Sequence, residues 1–187
     1  MSPATQSSRQ TQRIYEAIQH YRFQNPQLRH FALIDGATYT TLGNRLAQAK
    51  DVHQWQWLLE GTELDGLKQA GPALVAFEDS DAQGSPLLEW LIQRDIASPL
   101  LSWLWSMQPF EPLAEHLRKH LFTRLPDGRR ALLRYYDPKV RRALDSVLSK
   151  DQHAELMGPI AYWQIWQPLR NEYLTFVPPQ TAEVADA

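Results

Sequence analysis

Residues 120–145, HLFTRLPDGRRALLRYYDPKVRRALD, constrain the fold more than any other stretch of the chain. Two apolar runs, 121–125 and 131–136, flank Pro126-Asp127-Gly128. Proline presets φ for a turn and glycine accepts positive φ, so the triplet predicts a tight turn between two antiparallel strands. The second run ends at Asp137-Pro138. Aspartate is a favoured N-cap, and proline at the first helical position loses only an N–H that has no intrahelical partner. The stretch therefore predicts strand, turn, strand and capped helix, the helix covering 138–148 with Val140, Leu144 and Leu148 on one face.

The chain around it alternates short apolar runs with amphipathic ones. Ile14, Ala17, Ile18 and Tyr21 follow helical spacing and predict a helix over 11–23, ended by Pro26. The run 30–34 (HFALI) predicts a buried strand closed by Asp35-Gly36. Further strands are predicted over 55–59, over 73–78 after Gly71-Pro72, over 98–106, and over 160–167 and 173–177. Helices are predicted over 41–50, 87–93 and 151–157, the last broken by Gly158-Pro159. The clearest helix is 109–120, with Phe110, Leu113, Ala114 and Leu117 on one stripe, Glu111 in the first turn and Arg118 and Lys119 in the last. Residues 1–10, 79–86 and 179–187 are polar and are expected to be a disordered N-terminus, a loop and a tail. The whole predicts an α/β chain of the mixed α+β kind: one domain over 11–178 with room for two lobes, a central mixed sheet with flanking helices, and an antiparallel hairpin near 121–136.

Composition removes several chemistries. With no cysteine, disulfides, thiol catalysis and cysteine-based zinc sites are excluded, and the absence agrees with a reducing cytosol. No apolar run is long enough to span a bilayer, and the opening MSPATQSSRQTQR has no apolar segment of the secretory-signal kind. The sequence holds no phosphate-cradling glycine loop, HExxH, GxSxG or calcium loop.

Charge is unevenly spread. Residues 118–142 hold nine Lys or Arg against Asp127 and Asp137, a local +7 in a chain of net −2. Such a stretch suits an acidic protein partner or nucleic acid, with Tyr135, Tyr136 and the tryptophans as stacking groups in the second case. It equally suits a solvated helix face and a hairpin tip whose charges discourage edge pairing. His116 and His120 stand at i, i+4 beside Glu115, a spacing able to ligate a metal, but no third ligand is placed by sequence. Asp35 and Asp137 both follow predicted strands, with Arg134 nearby. They admit either metal-dependent hydrolase or nuclease work, or structural roles in turn, cap and ion pair. Trp103 and Trp105 would share one side of a strand and Trp163 and Trp166 opposite sides, so a one-sided sheet would bury only one of the latter pair.

The ordered set of segments carries more than any one of them. FALIDGA (31–37), WLLEGT (57–62), GPALVAFE (71–78), PLAEHLRKHLFTRLPDGRRALLRYYDP (112–138) and ELMGPIAYWQIW (155–166) occur in succession. This succession resembles the small DUF-type adaptor family of type VI secretion systems, the Tap or TEC effector chaperones of Gram-negative bacteria. Its most specific part is RLPDGRRALLRYYDP, and the motif positions are Asp35, Gly36, Gly71, Pro72, Asp127, Gly128, Asp137, Pro138, Gly158 and Pro159. The helix over 11–23 precedes the usual start of the pattern, and the region after it is shorter than in many members.

The resemblance implies a non-enzymatic, cytoplasmic bacterial protein without cofactor or metal. It would bind a cognate toxin effector, keep it ready for loading and pass it to the secretion spike or spike-tip protein. It implies no nucleic-acid partner and no membrane insertion. Interfaces of this kind favour aromatic and arginine anchors. The candidates are Arg129, Arg130 and Arg134, with Trp103, Trp105 and Trp163.

Overall fold

The computed structural model describes residues 3–37, 39–77 and 85–179. In chain order the elements are α1 (Pro3–Gln24), β1 (Arg29–Asp35), α2 (Leu42–Gln48), β2 (Val52–Trp57), a 3-10 helix (Asp65–Ala70), β3 (Pro72–Phe77), α3 (Pro86–Ala97), β4 (Leu101–Ser106), α4 (Phe110–Lys119), β5 (Phe122–Arg124), β6 (Arg130–Leu132), α5 (Pro138–Leu144), α6 (Lys150–Met157), β7 (Ile160–Gln167) and β8 (Glu172–Phe176).

Six strands form one sheet in the order β2-β3-β1-β4-β7-β8, and β5 and β6 form a separate hairpin. Phe31 and Leu33 of the central β1 face Leu74, Leu104, Trp163 and Ile165, and α4 and α6 close this side with Phe110, Leu113, Leu117, Leu156 and Met157. Ala32 and Ile34 face the other way, toward Val75, Trp103 and Trp105, under Ile14 and Ile18 of α1, Leu42 and Leu46 of α2, and Leu88, Leu91 and Ile92 of α3. With helices on both faces the inner strands have no solvent side. That is why they read as continuous apolar runs instead of alternating ones.

The mixed α+β class agrees with expectation, but the sheet is not mixed: every neighbouring pair is antiparallel. Burial on both faces erases the alternation that usually marks antiparallel strands, so their direction was hidden in the sequence.

Local chemistry accounts for several element ends. Ser85 Oγ accepts from Leu88 N–H at 3.1 Å, with Pro86 beside it, and this cap starts α3. Ser149 and Gln152 form a reciprocal capping box at α6. The 126–128 turn behaves as predicted: Gly128 N–H donates to Leu125 O at 2.9 Å, and Gly128 sits at φ 83°. Asp137 Oδ1 accepts from Lys139 N–H at 2.9 Å and caps α5 behind Pro138.

Several bounds differ from expectation. The first helix begins at Pro3 instead of near residue 11, because no helix breaker follows a proline that the first turn tolerates. Most of the polar stretch expected to be disordered is therefore helical. The strand expected over 55–59 is β2, ending at Trp57, and buried Leu58 and Leu59 leave it in a turn. α5 stops at Leu144, and the 3-10 helix was not foreseen. The hairpin strands are only three residues each. Tyr135 and Tyr136, expected to end the second strand, lie in a turn with both rings buried. Neighbouring strand residues point to opposite faces, so a strand could not bury both rings in one core. The loop expected over 79–86 and the tail over 179–187 fall largely outside the described residues.

Candidate functional site

Five of the scattered motif residues, Asp35, Gly36, Gly71, Pro72 and Asp137, meet with Arg134 at one end of the sheet, while Asp127-Gly128 stay on the exposed hairpin tip and Pro159 lies by Ser106 at the opposite end of β1. Asp35 closes β1 and pairs in register with Pro72, which opens β3. Its backbone N–H donates to Leu100 O at 2.9 Å. Its fully buried carboxylate accepts from Ala37 N–H at 3.0 Å and from Arg134 Nη2 at 2.5 Å. Gly36 N–H donates to Gly71 O at 3.0 Å. A Cβ on Gly36 would stand 2.7 Å from that same carbonyl oxygen and 2.8 Å from the Trp57 ring, so only glycine fits. Arg134 also lies 3.7 Å from Asp137 Oδ2, while Asp137 caps α5. Asp35-Gly36, Gly71-Pro72 and Arg134 to Pro138 thus form one node joining the hairpin and α5 to the sheet.

The node's electrostatics follow from the pairing. The hydrogen bond that Arg134 donates to Asp35 is the main reason that the Arg134 guanidinium is held above its ordinary value. Tyr136, whose ring lies 5.8 Å from that guanidinium, has its phenol pushed up to about 12, chiefly by burial. Arg134 stands between the two carboxylates, and the oxygens of Asp35 are taken by donors. Among the described residues, no group of three His, Cys, Asp or Glu could hold a metal ion. His116 and His120 are neighbours, with ring centroids 4.8 Å apart, but His116 Nε2 lies 2.9 Å from Leu156 O and is committed there. Burial lowers both histidines below their usual range.

The other two candidate arginines lie on an exposed arm. Residues 123–130, the tip of the β5–β6 hairpin, are all exposed. Arg129 pairs with Asp127 at 2.7 Å inside the turn. Arg130 reaches Glu63 at 3.1 Å and lies over the Phe122 ring at 4.0 Å. Both are exposed ion pairs, worth about 0–1 kcal/mol, so both guanidiniums can be redirected at little cost. Arg134 is different in kind, because its carboxylate partner is buried.

The tryptophans require a correction. Trp103, Trp105 and Trp163 are all 0% exposed, so none presents a ring to a partner at the surface. Trp103 and Trp105 share one core, where the Trp103 ring stacks on His30 and the Trp105 ring lies tilted against it, each at 5.1 Å, and Trp163 belongs to the opposite core. Trp166 is also buried, because both faces of the sheet are covered.

The basic stretch does not form one face. Tyr135 and Tyr136 are buried and cannot stack on bases. Lys119 pairs with Glu155 at 3.3 Å, and Arg118 Nε donates to Leu58 O at 3.2 Å. Arg141 is fully buried over the Phe176 ring at 3.7 Å, with Nη2 at 3.1 Å from His153 Nε2. Burial lowers its guanidinium to about 10. In the sequence Arg141 is one basic residue among many; its aromatic partners come from β7 and β8, far along the chain. Glu63, the acid that steadies Arg130, lay outside every motif for the same reason.

Residues 30–155 match the family described as "Domain of unknown function (DUF4123)", a span of more than half the chain. No curated protein and no solved structure matches the chain.

Proposed function

The chain belongs to the DUF4123 family, and from that premise we propose that it is an effector adaptor of a type VI secretion system. It binds a cognate toxin in the bacterial cytoplasm and hands it to the spike or spike-tip protein. The family description assigns no function; the role rests on the resemblance of the segment set over 31–166. The observation that supports it best is the exposed hairpin arm. Motif residues distributed over a hundred positions build a rigid node, and the node carries a projecting tip with two redirectable arginines, Arg129 and Arg130. A binding protein needs such a rigid mount with labile surface contacts, because pre-organised anchors lose little entropy on association. No described helix is long and apolar enough to cross a membrane.

The test is co-expression with the products of the neighbouring toxin and spike genes, followed by affinity capture and size-exclusion chromatography. A stoichiometric complex is expected, weakened by Arg129→Glu with Arg130→Glu while the thermal midpoint stays unchanged. Failure to bind any neighbouring effector or spike protein would sink the adaptor role. Full binding by the doubly reversed variant would show that the tip is only a turn.

A further inference from the structure

A second surface lies away from the hairpin. Between the first turns of α5 and the β7–β8 turn runs an open cleft of about 550 Å³. Its floor is apolar: Ile165 and Leu174 are register partners on β7 and β8. Its rim is cationic. Lys139 and Arg142 are exposed, and neither side chain pairs with an acid among the described residues. Arg170 reaches only Glu172, at 3.8 Å, with its side chain 72% exposed. Leu169, in the turn beside Arg170, is 100% exposed. An uncovered leucine beside three cations, of which only Arg170 has an acid within ion-pair reach among the described residues, is a poor arrangement for a free surface, since apolar area stays hydrated and like charges repel.

We propose that this cleft is a docking groove for an acidic segment bearing leucine-like side chains, contributed by the protein that the adaptor carries. The apolar side chains of the segment cover Leu169 and fill the floor over Ile165 and Leu174. Its carboxylates meet Lys139, Arg142 and Arg170. Charge complementarity selects this occupant, because three cations line one mouth and no acid lines it among the described residues; Glu172 is only loosely held by Arg170, and Asp137 is engaged by Arg134 and the α5 cap. A basic or nucleic-acid-like partner would leave either the rim or the floor unmatched. The identity of the partner rests on the adaptor role; the chemistry of the groove does not.

Two probes separate these claims. The first is a fluorescent 16-residue peptide alternating pairs of Glu and Leu, read by anisotropy at low salt against the full chain. Saturable binding is expected, weakened at least about tenfold by Lys139→Glu, Arg142→Glu and Arg170→Glu together, weakened also by Leu169→Asp, and absent for the same peptide with Lys in place of Glu. All four positions are exposed or at the cleft mouth, and unchanged circular dichroism confirms that the variants fold. No binding of the acidic peptide, or binding indifferent to the rim charges, overturns the groove. So does binding that appears only after residues 180–187 are deleted, since the chain's own acidic end would then be the occupant. The second probe is the intact neighbouring effector. Equal capture by wild type and the triple variant overturns the groove and leaves the adaptor role intact. Rim-dependent peptide binding with no effector captured upholds the groove and removes the adaptor role.

Discussion

Arg134 donates to Asp35 at 2.5 Å across 99 residues of sequence, and Asp35 has no exposed surface while the arginine side chain remains 48% exposed. The buried carboxylate depends on a cation that is itself half in water. This single contact braces the segment after the hairpin against the end of the central strand, so the position of the hairpin arm depends on it.

Replacing Arg134 by Met is therefore expected to destabilise the chain by about 2 to 4 kcal/mol, somewhat less than for a fully buried pair because Arg134 is partly hydrated. Asp35→Asn in the same background restores part of the loss, since it removes the stranded charge. Urea unfolding of the two single variants and the double variant measures the coupling. A loss under about 0.5 kcal/mol for Arg134→Met would mean that the pair braces nothing.

Gly158 ends α6 at φ 46° and ψ −116°, a conformation that other residues avoid, and a Cβ there would press on the His116 ring, 2.7 Å from Nε2. Gly158→Ala is expected to cost about 2 to 4 kcal/mol. His116→Ala in the same chain relieves the contact but not the backbone, so thermal denaturation should show recovery of only part of the loss. Complete recovery would assign the whole cost to the ring contact.

Two buried groups give opposite pH dependences. His30, stacked among Phe77, Trp103 and Trp105, is lowered to about 3 by burial, with Arg22 adding to the effect. The unfolded chain takes up that proton first, so stability is lost as pH falls from 6.5 toward 3, by about 2 kcal/mol at pH 5. Asp95, also buried, is raised to about 8. The unfolded chain releases that proton first, so its contribution is complete below about pH 3.8 and is lost as pH rises toward 8. The two slopes oppose each other between about 3.8 and 6.5, and wild-type stability should be nearly flat there with respect to this pair. Relative to wild type, His30→Phe should gain stability as pH falls below 6.5, and Asp95→Asn as pH rises above 4. Denaturation midpoints from pH 4 to 8 check both; parallel curves for wild type and either variant would contradict that assignment.

Where a feature depends on a few consecutive residues, the sequence was enough. The 126–128 turn, the Asp137-Pro138 cap and the stripe of α4 appear in the structure as their local chemistry predicts. The candidate site was legible only in pieces. Asp35, Gly36, Gly71 and Pro72 stood out as turn and strand-end residues, but their meeting with Arg134 could not be read, because it joins segments separated by up to 99 positions. The tryptophans misled for a related reason. An aromatic that anchors a core and one that anchors a partner have the same composition, and burial alone separates them.

By itself, then, the amino-acid sequence determined the 126–128 turn, the Asp137-Pro138 cap and the amphipathic stripe of α4, together with the absence of cysteine chemistry, because each is settled by neighbours along the chain or by composition. The tertiary structure alone decided that the sheet is antiparallel and covered on both faces, that Trp103, Trp105 and Trp163 are core, that Arg141 is buried on aromatic rings while Arg129 and Arg130 stay in water, and that Arg134 finds Asp35. Those outcomes depend on which distant segments share a space. Burial and pairing energies arise from that proximity, and no local pattern encodes it.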